Sequence, residues 1–160
     1  FTSTLADNLR YGEPEAESQS VEQAAERARL LDDVKGFPEG FSTIVGERGI
    51  TLSGGQRQRT ALGRALLVSA PVLVLDDALA SVDNNTAAAI LDSIRTTDGR
   101  TIVMISHQLS AAAACDRILV MEQGRIVQQG HHSHLISTPG VYRRLWERQQ
   151  AAEQLDAIAG

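Results

Sequence analysis

The sequence predicts an α/β fold with a parallel sheet, and two apolar runs of strand length are the first reason. Residues 72–75 and 101–105 are continuously apolar, and a helical stretch over residues 84–95 separates them. The order strand, helix, strand is typical of a crossover connection between parallel strands. Because both runs are apolar throughout, we expect this sheet to be buried on both faces.

The composition is that of one soluble globular chain. Of the 160 residues, 42% are apolar, and the net charge is -5 with the basic side chains scattered along the sequence. This pattern offers no basic surface for duplex nucleic acid, so nucleic acid is not a predicted partner. The lone Cys115 excludes an internal disulfide. The longest nearly apolar stretch, residues 65–75, contains Ser69 and Pro71 and is shorter than the ~20 residues of a membrane span.

The first part of the chain is predicted to be helical. Ser20 is expected to cap a helix that runs to Leu31, and the segment 36–40, which contains two glycines and a proline, should interrupt it. A second helix is predicted from Gly54 to about Val68. Its buried stripe is expected to consist of four side chains at helical spacing: Ala61, Leu62, Ala65 and Leu66.

The second part of the chain should complete the sheet and close the domain. Residues 118–121 and 125–127 are predicted to form a hairpin, and a helix is expected from residue 141 to about 157. We therefore divide the chain into a helical subdomain, residues 1–70, and a sheet-containing part, residues 71–160.

The segment Leu-Ser-Gly-Gly-Gln at residues 52–56 allows two interpretations. Ser53 and Gln56 have the spacing of a capping box, which accounts for the serine and the glutamine. Gly54 and Gly55 are unfavourable in a first helical turn, and the close approach of a ligand to the backbone would explain them. Free N–H groups at a helix N-terminus bind anions, so a phosphate site is the second interpretation.

Polar residues follow each of the two predicted strands. They would lie at the carboxyl ends of the strands, where ligands bind in parallel sheets. Asp76 and Asp77 end the first strand and could hold magnesium or orient water, or could simply cap the next element. Ser81 and Asp83 follow in the turn, where Asp83 is also a candidate N-cap. His107 follows the second strand.

In this order, the motifs resemble the nucleotide-binding domain of ABC transporters. Residues 52–56 match the LSGGQ signature, residues 72–76 the Walker B strand, residues 81–83 the D-loop, and His107 the switch histidine. Each motif is weak by itself, but their shared order and spacing make a chance match very unusual. The segments 1–12 and 45–49 also resemble an exporter, the second being its X-loop with Glu47 and Arg48 facing the membrane domain.

The resemblance implies a partial P-loop NTPase of the RecA-like type. It would comprise a parallel sheet, a helical signature subdomain, and a C-terminal hairpin with helices. The chain would be the C-terminal part of that domain, in a transporter at the cytoplasmic face of a bacterial plasma membrane. Its partners would be the coupling helices of the transmembrane domain and a second nucleotide-binding domain.

The resemblance also implies ATP and Mg²⁺ as ligands. Asp76 would hold the magnesium indirectly, His107 would contact the γ-phosphate, and the residues of the signature would act in trans on the partner's nucleotide: Ser53, Gly54, Gly55 and Gln56. The family's catalytic glutamate is replaced by Asp77. This shorter carboxylate is expected of the degenerate half of a heterodimeric exporter, which hydrolyses ATP slowly at its own site.

The chain contains no G-x-x-x-x-G-K-[ST] motif, and Lys35, its only lysine, follows no glycine loop. Two alternatives therefore stay open beside the exporter domain. One is a fragment of an ABC-type DNA-repair or chromosome ATPase, which the absence of coiled-coil heptads disfavours. The other is a non-catalytic dimerisation module.

Overall fold

The computed structural model describes residues 2–47, 49–97 and 99–159, and the chain divides into two compact units, residues 1–105 and 106–160. The boundary predicted at residue 70 lies inside the first unit and stays a prediction. Elements of the first unit are β1 (Ser3–Thr4), α1 (Leu5–Leu9), a 3-10 turn (Arg10–Gly12), α2 (Ser18–Arg27), α3 (Leu31–Lys35), a second 3-10 turn (Gly40–Ser42), β2 (Ile44–Val45), α4 (Gly54–Leu67), β3 (Val72–Asp76), α5 (Asn84–Thr97) and β4 (Thr101–Ile105).

The predicted helix capped by Ser20 is wrong at both ends. Helix α2 begins at Ser18 with Glu17 at the N-cap, and it ends at Arg27. Arg29 has a left-handed backbone, with φ of 54°, which a continuing helix cannot contain. The chain therefore turns and starts α3 separately at Leu31. The predicted interruption is confirmed, because α3 ends at Lys35.

Helix α4 is confirmed, but its buried face is rotated from the predicted one. Thr60, Leu62, Gly63 and Leu66 are buried, whereas Ala61 is exposed and Ala65 only half-buried. The cause is packing against α1 and α2. A Cβ on Gly63 would stand 2.7 Å from Cδ2 of Leu9, so the helix places its smallest residue where α1 approaches it most closely.

Strands β3 and β4 are parallel and pair in register from Val72 with Thr101 to Asp76 with Ile105. Helix α5 is the crossover between them, so the predicted strand, helix, strand order is confirmed. The prediction that both faces are buried is wrong. Leu73 and Leu75 are buried, whereas Val72 and Val74, whose side chains alternate to the opposite face, are 49% and 60% exposed. Among the described residues this sheet has two strands.

The second unit contains α6 (Leu109–Ala113), β5 (Ile118–Glu122), β6 (Arg125–Gly130), α7 (His132–Ser137) and α8 (Val141–Ala159). The predicted hairpin and closing helix are confirmed, since β5 and β6 pair antiparallel. A small core lies under the hairpin, and Tyr142 at its centre is hydrogen-bonded to Nδ1 of His132 at 2.8 Å. None of the helices in the described part of the chain has the length and apolarity to cross a membrane.

The hairpin turn generates a stability prediction. Gln123 and Gly124 both have positive φ, 50° and 75°, as a two-residue type I′ turn requires. Asn tolerates this conformation better than Gln, and a β-branched residue tolerates it worse. We expect Gln123→Asn to raise the free energy of unfolding by about 0.5 kcal/mol and Gln123→Val to lower it by about 1 kcal/mol. Urea unfolding measures both, and changes of the same sign would contradict the turn assignment.

Candidate functional site

The N-terminus of α4 is organised by a complete capping box. The Ser53 hydroxyl accepts from the Gln56 N–H at 3.2 Å, and Oε1 of Gln56 accepts from the Ser53 N–H at 2.8 Å. The capping interpretation is therefore confirmed. It leaves the anion interpretation open, because none of the hydrogen bonds among the described residues uses the N–H of Gly54 or Gly55. Those two donors remain available at the positive end of the helix.

The packing of this turn requires glycine at position 55 but not at position 54. A Cβ on Gly55 would stand 3.0 Å from the carbonyl oxygen of Ser81, which is tighter than ordinary contact. The sequence suggested that a ligand approaches the backbone here. At Gly55 the approaching group is the Ser81 carbonyl of the chain itself. A Cβ on Gly54 would lie 3.7 Å from the Ser81 side chain, an ordinary distance, so this packing does not require glycine at 54.

The turn after β3 is tied to α4 and to α5. The N–H of Ser81 donates to Oε1 of Gln58 at 2.7 Å, which fixes the turn against the side of α4. At the other end, Oδ1 of Asp83 accepts from the N–H of Thr86 at 3.0 Å. Asp83 is therefore the N-cap of α5, as one of its two interpretations predicted. The backbone hydrogen bond from Thr86 holds the pKa of Asp83 below its ordinary value of 3.8.

Asp76 and Asp77 stand at the carboxyl end of β3, as predicted. Asp76 is exposed, and Asp77 has a left-handed backbone, with φ of 48°. The N–H of Asp77 donates to the carbonyl of Ile105 at 2.9 Å, so the strained residue is held against the end of β4. Exposed carboxylate oxygens at this edge fit Mg²⁺, which takes one or two protein carboxylates together with water and phosphate.

The described residues do not form a metal site made of protein ligands alone. Across them, no group of three or more His, Cys, Asp or Glu side chains is placed to hold a metal ion. Magnesium at Asp76 would accordingly need phosphate oxygens and water to complete its shell.

His107 belongs to the second unit, where its side chain is exposed. It borders an open cavity of about 410 Å³, whose other lining residues are Ser106, Leu109, Leu145, Arg148 and Gln149. The N–H of Leu109 donates to Oε1 of Gln149 at 3.0 Å, which anchors the start of α6 to α8 beside this cavity. The role of His107 toward a phosphate stays a prediction.

The segment predicted to be the X-loop forms a tight turn. A Cβ on Gly49 would overlap the carbonyl oxygen of Ile44, so only glycine allows this close return of the chain. The N–H of Ile50 donates to the same carbonyl at 2.9 Å and closes the loop. Glu47 is exposed on it, and Arg48 lies outside the described residues.

Asp33 is a member of the site that the sequence analysis missed. Its Oδ1 accepts from Nε2 of Gln56 at 2.9 Å, and its Oδ2 accepts from Arg59 at 2.6 Å. Asp33 lies on α3, more than twenty residues before α4, so no local spacing links it to the signature. The signal in the sequence was weak: Gln56 and Arg59 are three apart on one helical face and can share an acceptor.

Comparisons of this chain with known proteins agree on one family. The family model described as "ABC transporter" matches residues 2–80. The chain is 44% identical over 157 residues to the "Multidrug resistance-like ATP-binding protein MdlA" of Escherichia coli, covering 98% of this chain and 27% of that protein. It is 43% identical over 155 residues to the "ATP-dependent lipid A-core flippase" of Chromohalobacter salexigens, with 96% and 27% covered. The chain thus spans about a quarter of the length of these relatives.

A solved structure has the same fold. The structure described as "a bacterial Atm1-family ABC exporter with ATP bound" superposes with a TM-score of 0.86 at 40% sequence identity. The similarity covers 93% of this chain and 26% of that chain. It confirms the predicted α/β class.

The glycine pair generates a paired prediction for stability. Alanine at position 55 would press its Cβ against the carbonyl oxygen of Ser81, whereas alanine at position 54 has room. We expect Gly55→Ala to lower the free energy of unfolding by about 1–3 kcal/mol, and Gly54→Ala to leave it unchanged or raise it by up to about 1 kcal/mol. Thermal unfolding of both variants measures this, and equal losses would contradict the packing argument.

The Asp83 cap generates a pH prediction. Because its pKa is lowered on folding, the stabilising hydrogen bond is fully present above pH 3.8 and is lost as the pH falls through the lower folded-state pKa. An NMR titration should give an Asp83 midpoint below 3.8, and the Thr86 amide shift should follow it. In the Asp83→Asn variant the Thr86 amide should lose that transition; a transition that persists would assign the titration to another group.

Proposed function

Since the chain belongs to the ABC transporter family, as part of an exporter-type nucleotide-binding domain, we propose that it contributes to two different ATP sites. Its signature would complete the site of a partner domain. Its Walker B acids would belong to a second site, where hydrolysis is slow. ATP would close the paired domains, and hydrolysis would reopen them, so that the membrane domains change conformation.

The observation that carries the proposal is the start of α4. Ser53 is exposed, and its hydroxyl, which accepts from the Gln56 N–H, still has its own O–H to donate. The N–H groups of Gly54 and Gly55 make no hydrogen bond among the described residues and lie at the positive end of the helix dipole. This is the arrangement that binds a phosphate group. Gln56 would act through the cap, since its side-chain oxygen already accepts from Ser53.

The chain's own site would use the acids after β3. Asp76 would hold magnesium indirectly, and the ion would supply positive charge that neutralises the phosphates of ATP. Asp77 would polarise the attacking water, and His107 would contact the γ-phosphate. An aspartate carboxylate ends one methylene short of a glutamate's, and a displacement of about 1 Å can cost on the order of a hundredfold in rate. The aspartate supports slow hydrolysis at this site.

The pairing of an intact signature with a shortened catalytic acid supports a heterodimer. A partner with its own glutamate would hydrolyse ATP at the site that Ser53 completes, and the site of Asp77 would turn over slowly. Ser81 and Asp83 would lie near the dimer contact as the D-loop. Glu47 and Arg48 would meet the coupling helices of the transmembrane domain, and the domain would then lie at the cytoplasmic face of the membrane.

The alternatives have less support. The relatives named above are described as a multidrug resistance-like ATP-binding protein, a flippase and an exporter, which favours transport over DNA repair or chromosome organisation. An intact Leu52–Gln56 segment, with its N-terminal donors exposed, disfavours a dimerisation module that has lost its nucleotide.

The test is ATP hydrolysis by the full-length transporter with its partner. Ser53→Ala should lower the rate at the partner's site by about a hundredfold, since one donor to the γ-phosphate is lost. Asp77→Glu should raise the rate at the chain's own site by at least about tenfold, because the carboxylate then reaches the water. Ser69→Ala, at an exposed serine that follows the C-terminal end of the same helix, is the matched control. An unchanged rate in Ser53→Ala would refute the proposal.

A further inference from the structure

We propose that Asp33 is a positioning residue for the signature, which sets the orientation of Gln56 and through it the phosphate-facing end of α4. The inference rests on the proposed function, because it assigns Asp33 an effect on the partner's ATP site. Asp33 itself would touch neither the nucleotide nor the attacking water.

The first argument is how the Gln56 amide is used. Its oxygen accepts from the Ser53 N–H, and its nitrogen donates to Oδ1 of Asp33. A carboxylate can only accept, so Asp33 binds the amide in one orientation alone. With the amide reversed, its NH₂ group would face the Ser53 N–H, and the capping box would lose its second hydrogen bond. Asp33 therefore fixes the rotamer on which the backbone at Ser53 depends.

The second argument is electrostatic. A carboxylate this close to the signature would repel a phosphate, but Arg59 pairs with it at 2.6 Å. The two side chains are only 16% and 19% exposed, so solvent screens the pair little. The guanidinium donates to Oδ2 of Asp33 through Nη2, while its buried Nε has no hydrogen-bond partner among the described residues. The pair thus neutralises the carboxylate while keeping its geometry.

The third argument is that the short helix carrying Asp33 is anchored in the core. Leu30 and Val34, which flank it in sequence, are both buried in the core of the first unit. Asp32, the adjacent acid on the same short helix, shows the contrast. Its side chain is 94% exposed, and Lys35 is its one hydrogen-bond and ion-pair partner within the described part of the chain. Asp32 and Asp33 have the same side chain but different surroundings. Asp32 is therefore the matched control.

The experiment uses the full-length transporter with its partner and measures ATP turnover at saturating and limiting ATP. Asp33→Asn keeps the size but offers one oxygen acceptor to two donors. We expect kcat at the partner's site to fall by about tenfold to a hundredfold, with the affinity for ATP in the open state unchanged. Asp32→Asn should leave both unchanged. Asp33→Glu, which keeps both acceptors, should restore most of the rate.

A double-mutant cycle separates positioning from general destabilisation. If Asp33 acts through the signature, the combined loss in Asp33→Asn with Ser53→Ala should be smaller than the product of the two single losses. Multiplying effects, or an equal loss at the chain's own Asp77 site, would overturn the inference. If Ser53→Ala lowers turnover and Asp33→Asn does not, the inference alone fails. If Ser53→Ala has no effect, the proposed function itself fails.

Discussion

The candidate site depends on the hydrogen bonds that hold the N-terminus of α4. Ser53 and Gln56 satisfy one another's backbone N–H groups, and this reciprocal cap keeps the first turn helical although it contains two glycines. The cap uses the N–H groups of Ser53 and Gln56, whereas those of Gly54 and Gly55 donate to no acceptor in the described part of the chain and can meet an anion. Stability and proposed function therefore use different donors of the same turn and do not compete.

Two separate parts of the first unit, α3 and the segment that carries Ser81, converge on this turn of α4. Asp33 binds it from α3, the Ser81 carbonyl lies against Gly55, and Gln58 of α4 binds the Ser81 N–H. The segment that carries Ser81 begins at Asp77, whose N–H is bound to the end of β4. The acids at the sheet edge and the glycines at the helix end are thus joined by one short, hydrogen-bonded stretch of chain. In the transporter that we propose, this stretch would link the two ATP sites.

Sequence reasoning succeeded where the cause is local. The capping box of α4, the Asp83 cap of α5 and the hairpin turn at Gly124 depend on residues within three or four positions of one another, so their spacing predicts them. It failed where a distant element decides. The buried face of α4 is the clear case, because it follows from the close approach of Leu9 on α1 to Gly63.

By itself, the sequence determined the α/β class, the parallel pair β3 and β4, and the motifs that identify the family, because periodicity and short-range spacing encode them. Only the tertiary structure decided which face of the sheet is covered, why Gly55 must be a glycine, and that Asp33 holds Gln56 and Arg59. These features depend on contacts between residues about twenty or more positions apart, and a single sequence carries no periodic signal of such contacts.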